Sequence, residues 1–557
     1  MLSIRIITIF IALIIGAAPL IAWGDDTAPE LAGTWLSVLP PVVAILVALV
    51  FKRVIPALFT GVFLGAWLIE GLTVKGFWIG LLSSFEIYVV NALANRDHTA
   101  IILFSLMIGG MVGIISRNGG MQGIVNAIIR WADSVRHASL ATAAMGLAIF
   151  FDDYANTLVV GNTMRPVTDS NRISRQKLAY IVDSTAAPVA CIALVTTWIG
   201  YEVGLIGDAL ERMSGLQMDA YLLFLNTLAY SFYPVLAILF VFLIALTGRD
   251  FGPMLAAEQE ARQQQAPNDD HLDVDQDNDS APIEPVKGKP QRAINAILPV
   301  SVLIVGVLSG LYVTGLSSVE VEDPSLRDII GSADSYRALL WASFLGVLTA
   351  ALLSIGQRIL DLEQVVNAWY RGLRSMLMAL IILILAWALG ETTDLLATAD
   401  FLVSVLGDKL PAFAVPTIVF LLAAATAFAT GSSWGAMGIL IPLIMPLTWA
   451  ILQTQGMGDP EHLHILYSAV ASVLAGAVWG DHCSPISDTT ILSSLASGCD
   501  HIEHVRTQLP YAFIVGLTAL MLGSLPVALG MAWWMGMLLG AVVLFVMLRL
   551  FGTRTEQ

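Results

Sequence analysis

Charge is what this chain has least of. Of its 557 residues only 13% are Asp, Glu, Lys or Arg, against 57% hydrophobic, and the mean hydropathy is +0.79. So little charge over so long a chain excludes a set of soluble domains and points to a polytopic membrane protein. Cysteine is also sparse. Cys191, Cys483 and Cys499 are odd in number and show no Cys-x-x-Cys spacing, which argues against a disulfide framework or a thiolate zinc site. Basic excess is missing too: the formal charge is −16, so nucleic acid is not an expected partner. Part of that charge is local, because residues 249–292 hold ten of the 43 acids and five of the 27 bases.

What is present is a succession of apolar runs. Arg5, the run Ile6 to Leu20 and then Asp25 and Asp26 suit either a cleaved signal peptide or a first transmembrane helix, so residues 1–34 are read as one or the other. Runs follow at Val38 to Phe51, Val54 to Ile69, Thr99 to Ile115, Leu178 to Tyr201 and Tyr221 to Leu246. Basic residues cluster in alternate connections (Lys52 and Arg53; Arg117, Arg130 and Arg136; Arg165, Arg172, Arg175 and Lys177), which the positive-inside rule places in the cytoplasm. Residues 249–292 carry a glutamine triplet, an Asp-rich tract and five prolines, Pro282, Pro285 and Pro290 among them, a composition read as an acidic disordered cytoplasmic linker. The pattern then restarts with the opposite orientation, giving a first repeat over 35–248, a second over 293–526, and a terminal helix with a cytoplasmic tail over 527–557.

Each half contains a segment that does not read as one span. Ser139 to Phe151 and Tyr154 to Met164 are short apolar arms around Asp152 and Asp153, with basic residues at both outer ends. At about 1.5 Å per residue neither arm crosses about 30 Å of hydrocarbon, so a re-entrant hairpin is expected. In the second half no Asp, Glu, Lys, Arg or His occurs between Lys409 and Asp459, and Gly431-Ser432-Ser433 breaks that run. Asn156-Thr157 stands before Pro166 as Ser432-Ser433 stands before Pro442. Interrupted spans follow, at Asp183-Ser184-Thr185-Ala186-Ala187-Pro188 and at Asp481 to Pro485. The expected fold is therefore all-α and polytopic, with two inverted repeats, each holding a re-entrant hairpin and a discontinuous transmembrane helix, as in secondary transporters.

Sodium ions prefer oxygen ligands. Asn156, Thr157 and Ser184 or Thr185 in one half, and Ser432, Ser433, Ser484, Ser487 and Thr489 or Thr490 in the other, supply them beside the freed carbonyls and dipoles of broken helices. Proton coupling needs a carboxyl group that burial can tune, and Asp152, Asp153, Asp183, Asp481 and Asp488 are the candidates, with His482 beside them as a further site residue and proton carrier. Plainer roles stand beside these: Asp488 as a helix N-cap, Asp152 and Asp153 as structural turn residues, His482 as a packing or hydrogen-bonding residue, and His501, His504, Glu503 and Arg506 as an interfacial loop. Trp198, Trp434 and Trp479 lie near the breaks, either as packing or as a wall for an organic substrate.

The stretch G-D-H-C-S-P-I-S-D-T-T resembles the NhaC family of sodium/proton antiporters, in the ion-transporter superfamily. The pattern falls on Gly480, Asp481, Ser484, Pro485, Ser487, Asp488, Thr489 and Thr490, with support from F-D-D-Y-A-N-T at Phe151 to Thr157 and G-S-S-W-G-A-M-G at Gly431 to Gly438. His482 and Ile491 stand where relatives often carry Lys and Asn. The resemblance implies a non-enzymatic secondary transporter exchanging Na⁺ for H⁺ in the cell membrane, with Asn156, Thr157, Ser433, Asp481 and Asp488 as Na⁺ ligands, no resident cofactor, lipid around it and a homodimer as one assembly. Na⁺-coupled movement of an amino acid or small carboxylate is the alternative, and a receptor or scaffold that moves nothing is a third reading.

Overall fold

The computed structural model describes residues 31–51, 53–216, 218–263, 283–319, 324, 329, 332–406 and 410–554. The alternatives for the N-terminal segment fall mostly on residues outside this set. Nearly all of the described chain is helical; the exception is a two-stranded antiparallel ribbon joining Arg249–Asp250 to Thr553–Arg554. Among the described residues ten helices are long and apolar enough to cross a membrane, or up to 12 if each of two bent helix pairs counts as one span. This is an all-α, multi-pass membrane protein.

One order of elements recurs in both halves. The first hairpin has arms Val135–Ala148 and Asp153–Ser170, and is followed by a bent pair, Arg175–Ile192 and Thr197–Glu211, with 44° between its members. The second hairpin has arms Val415–Thr430 and Ser433–Thr454, followed by Leu463–Cys483 and the short helix Asp488–Ser497. A closing helix, His501–Thr518, packs behind the second break, and Trp533–Phe551 ends the helical part of the chain. The helices Arg96–Arg117 and Leu362–Leu395 brace the other side of the molecule. They meet backbone to backbone at Gly109 and Gly372, where a Cβ on Gly372 would lie 2.1 Å from the Gly109 carbonyl oxygen; small residues permit such approach where lipid gives helices no hydrophobic incentive to pair.

Four expectations are corrected. Val74 to Ala94, which the sequence pattern reads as an amphipathic connection between the spans at Val54 to Ile69 and Thr99 to Ile115, is a further long apolar helix and passes through a π-helical turn at Ser84–Val89. Arg371 and Arg374, which with Arg358 read from the sequence as a basic loop between apolar runs, lie inside the 34-residue helix Leu362–Leu395; both arginines are polar interruptions that a helix of that length absorbs. The second hairpin's arms are long enough to cross a bilayer, whereas the first hairpin's are not among the candidate spans. Residues 249–292 are not uniformly disordered: beyond the ribbon, Gly252–Gln263 is a helix, and Val286 N–H donates to the Arg117 carbonyl at 3.1 Å. Averaged composition hid a local pairing. Asp250 and Glu258 are fully buried and meet Lys177 at 2.7 and 3.5 Å, so two of the acids counted as linker belong to the core. Residues 264–282 lie outside the described set.

Candidate functional site

The two hairpin tips are built alike. Asp152 is the N-cap of the second arm of the first hairpin, its Oδ1 accepting from Ala155 N at 2.7 Å, and Ser432 caps the equivalent arm, accepting from Gly435 N at 3.3 Å. Aligned by cap, Asp152 corresponds to Ser432 and Asp153 to Ser433, and Pro166 and Pro446 each stand fourteen residues beyond their cap. The expected match of Asn156-Thr157 with Ser432-Ser433 is thus off by one helical turn, because it was anchored on Pro442 instead of Pro446.

The breaks correspond differently from expectation as well. In the second half the helix stops at Cys483, Ser484 to Ser487 is non-helical, and Ser487 caps the next helix by accepting from Thr490 N at 3.3 Å. Pro485 accounts for the stop. In the first half Asp183 to Pro188 is helical throughout, and the break falls at Ala193 to Thr196. One hydroxyl makes it: Thr196 Oγ1 donates to the Ala190 carbonyl at 3.0 Å and accepts from Trp198 N and Ile199 N at 3.1 and 3.3 Å, satisfying orphan groups of both helix ends. Asp183 is therefore not the positional twin of Asp481.

Each tip docks on its own break. Thr197 N–H donates to the Phe151 carbonyl at 3.0 Å, and Ser484 Oγ donates to the Phe428 carbonyl at 2.7 Å. The short helix Asp488–Ser497 then ties the halves together. Thr489 Oγ1 donates to Asp481 Oδ2 at 2.8 Å, Thr490 Oγ1 donates to Asp183 Oδ2 at 3.1 Å, and Tyr154 of the first hairpin donates to Asp488 Oδ2 at 2.8 Å. Gln508 of the closing helix completes the set, its amide donating to Asp183 Oδ2 at 2.5 Å and to the His482 carbonyl at 3.0 Å.

The oxygens left over are the informative ones. Both carboxylate oxygens of Asp153, Oδ1 of Asn156, Oγ1 of Thr157, Oδ1 of Asp183 and Oδ1 of Asp481 are buried and without a hydrogen-bond partner among the described residues. Buried polar atoms are normally paired, so a cluster of open oxygens points to a missing cation, proton or water. Asn156 is also a clamp, donating to the Gly146, Ile149 and Thr185 carbonyls at 2.7, 3.2 and 2.9 Å. The Trp198 indole N–H approaches Asp153 outside hydrogen-bond geometry. Asp153, Asp183, Asp481 and Asp488 lie within electrostatic reach of neighbouring carboxylates, and none of their hydrogen-bond partners among the described residues is Lys or Arg. No three His, Cys, Asp or Glu side chains among the described residues converge as a divalent-metal cage would require.

Other candidates take plainer places. Thr185 Oγ1 bonds back to the Ile181 carbonyl at 2.7 Å, Ser184 lies against the Tyr180 hydroxyl, and Ser433 makes only a 3.5 Å contact to the Ala477 carbonyl. Asp488 is not a cap, since Ser487 holds that position. His482 is fully satisfied as a neutral ring: Nε2 donates to the Asp183 carbonyl at 3.2 Å and Nδ1 accepts from Tyr233 at 2.9 Å. His504 is buried, not interfacial. Sequence reasoning missed Tyr154, Thr196, Thr197, Tyr233 and Gln508; of these only Thr196-Thr197, a hydroxyl pair at a helix start, carried a recognisable signal.

Two discontinuous helices with an uncompensated carboxylate cluster between them define a membrane transporter. Residues 189–525 match the Na⁺/H⁺ antiporter family, and the chain belongs to that family. An uncharacterized protein of Haemophilus influenzae is 32% identical over 524 residues, 92% of this chain and 94% of its own. The arginine/ornithine antiporter ArcD of Halobacterium salinarum is 37% identical over 115 residues, 20% of this chain and 21% of that one. In fold the chain resembles the YdaH transporter of Alcanivorax borkumensis, with a TM-score of 0.54 at 16% identity, covering 82% of this chain and 90% of that one.

Proposed function

We propose that this protein exchanges Na⁺ for H⁺ across the cell membrane, as an antiporter of the NhaC type with its C-terminus and residues 249–292 in the cytoplasm. One observation carries the reading: Asp153 and Asp481 keep open, buried oxygens in a site whose aspartates have no basic hydrogen-bond partner. Such oxygens can be satisfied by a cation, a proton or water, and of these a cation and a proton both neutralise the carboxylates and so exclude one another. Competition at one site is sufficient for exchange if the helices carrying it present it to each side in turn. Asn156 Oδ1 and Thr157 Oγ1 are the neutral oxygens available to a sodium ion, with Asp481 as its charge partner. Asp488 accepts from Tyr154 and so links the first hairpin to the short helix of the site.

The test is a proteoliposome assay with a trapped pH dye. Sodium added outside is expected to alkalinise the lumen, because entering Na⁺ is exchanged for H⁺ that leaves, and sodium-driven acidification or the absence of sodium-dependent proton flux at every pH overturns the proposal. A second reading has its own support. Matches to the arginine/ornithine antiporter and to a malate-2H⁺/Na⁺-lactate antiporter of Bacillus subtilis, 36% identical over 81 residues, favour an organic cargo, and Trp198 and Trp434, with ring centroids 5.3 Å apart, offer an aromatic wall. Sodium-driven accumulation of a labelled amino acid or carboxylate without proton flux selects this alternative.

A further inference from the structure

His98 lies in the first turn of the bracing helix Arg96–Arg117, buried where that helix meets Thr197–Glu211 and Leu362–Leu395. Its Nδ1 stands 2.9 Å from the Ala92 carbonyl, which can only accept, so that nitrogen carries hydrogen. The other nitrogen faces a carboxylate. Nε2 is 3.5 Å from Oδ1 of Asp208 and has no hydrogen-bond partner among the described residues. In a neutral ring already protonated on Nδ1, Nε2 presents a lone pair, so the contact sets two acceptors against each other away from water. A proton on Nε2 turns the same contact into an ion pair.

The surroundings act in both directions and favour the charged ring on balance. The Trp387 indole stacks on the imidazole with centroids 3.7 Å apart and planes 5° from parallel, which sets the ring over an electron-rich face. Acids lie on the neighbouring elements: Asp97 on the same helix, Asp208 and Glu211 on Thr197–Glu211, Asp334 at the start of Ser335–Gly356, and Glu391 on Leu362–Leu395, where Asn91 engages it at 2.8 Å. Against a cation stand the helix N-terminus, Arg96, Arg212 at 2.7 Å from Oδ2 of Asp208, and Arg337 at 3.8 Å from Asp334. Tyr88 and Tyr336, from Val74–Ala94 and Ser335–Gly356, carry no charge. Five acids thus face three arginines, and one proton on His98 narrows the imbalance.

We propose that His98 is a proton-binding site and that its imidazolium, paired with Asp208, fastens Thr197–Glu211 to the bracing helices. Charged, the ring joins the helix that bears it to Trp387 of the second brace and to Asp208 of the broken pair. Neutral, it keeps the first two contacts and loses the third. Trp387 also donates to the Gly204 carbonyl at 3.3 Å, one turn before Asp208, so brace and arm meet over a continuous surface. The same arm begins at the first break, where Thr197 donates to the Phe151 carbonyl and the Trp198 indole approaches Asp153. One proton, taken from water at the end of the bracing helix opposite Arg117, thereby sets how firmly the arm behind the site is held. The ligand is the proton alone, on Nε2, whichever cation or cargo is exchanged.

Imidazole ¹⁵N resonances of the full-length protein in lipid nanodiscs test the proton, His98 being identified by the signals lost in His98→Phe. Nε2 is expected to titrate while Nδ1 stays protonated. Asp208→Asn is expected to move the midpoint down by about one pH unit, and Arg212→Gln to move it up, because the first removes the anion facing Nε2 and the second removes the cation bound to that anion. If Asp208→Asn does not fold, the upward shift in Arg212→Gln decides alone. Amide hydrogen exchange of residues 197–211, corrected for its intrinsic pH dependence, tests the fastening. It is expected to quicken about fivefold as pH rises through the His98 midpoint, and to show no such step in His98→Phe, which keeps a ring on Trp387 but binds no proton. A midpoint unmoved in either folded variant, an Nε2 that does not titrate while the protein is folded, or an exchange step that persists in His98→Phe overturns the proposal.

Discussion

Thr490 donates its hydroxyl to Asp183 across 3.1 Å, from the short helix after the second break to an uninterrupted helix of the first half. Its neighbour Thr489 donates to Asp481 at 2.8 Å. Adjacent threonines on one helix thus hold two aspartates that belong to different halves, so the motif Ser487 to Thr490 is a connector as much as a binding loop. Thr490→Val removes one donor from a carboxylate that is fully buried and already has an open Oδ1. The expected cost is about 1–3 kcal/mol of stability, read as a lower unfolding midpoint in detergent, and Thr490→Ser is expected to restore most of it.

Asp481→Asn is expected to abolish coupled transport while leaving the protein folded. The asparagine keeps an oxygen for Thr489 Oγ1 and its NH₂ replaces the unpartnered Oδ1, so the fold loses no donor, while the site loses the charge for which Na⁺ and H⁺ compete. Asp153→Asn is expected to behave likewise. Flux measured in proteoliposomes beside a thermal unfolding curve checks both halves of the statement; sodium-dependent flux retained in Asp481→Asn places the competing site elsewhere.

The hairpins and the second break were legible because their signals are local. A glycine-serine interruption in a charge-free run and a proline after Asp481 act on the residues beside them. The first break was misplaced for the same reason. Pro188 drew attention to Asp183 to Pro188, yet the helix runs on to Ile192, with Asn156 donating to the Thr185 carbonyl from a neighbouring hairpin, and a single hydroxyl at Thr196 decides where it stops. Such compensation is tertiary and leaves no trace within the segment. Gln508 and Tyr154 were invisible on similar grounds, since each gains its role only from the aspartate it meets across the fold. In the acidic stretch, Asp250 and Glu258 could be separated from the remaining acids only by knowing that Lys177 reaches them.

Gly480 is expected to tolerate no side chain. A Cβ there would lie 2.1 Å from the Ala424 carbonyl oxygen, and one at Gly476, a turn earlier, would lie 2.4 Å from that of Phe420. These glycines let the helix bearing Asp481 lie directly on the first arm of the second hairpin, the small-xxx-small contact of membrane helices. Gly480→Ala must push backbone away from backbone, and the expected overpacking cost is about 1–3 kcal/mol. Because the displaced residue is next to Asp481, transport is expected to fall more than that of Gly71→Ala, where no atom lies within 4 Å of the added carbon but φ is +79° and the strain is confined to a half-buried turn. Unfolding midpoints and initial fluxes of the two variants, compared side by side, decide this.

Lys177 is expected to be the most sensitive basic residue outside the site. It is buried with Asp250 at 2.7 Å and Glu258 at 3.5 Å, Tyr511 donates to the other oxygen of Asp250 at 3.0 Å, and Glu258 accepts from Ser174 N at 2.7 Å. The group joins the start of the first broken helix to the ribbon strand and helix that follow the first half. Removing one member of a buried ionic group leaves the others uncompensated, at about 3–5 kcal/mol, so Lys177→Met is expected to unfold at a clearly lower temperature than the parent. Replacing the acids as well, in Lys177→Met/Asp250→Leu/Glu258→Leu, removes the uncompensated charge and is expected to recover most of the loss, because a well-packed apolar substitute for a buried ion pair is often neutral or better. A triple variant no more stable than Lys177→Met shows instead that the cluster acts through its hydrogen bonds to Tyr511 and Ser174, which the apolar residues cannot replace.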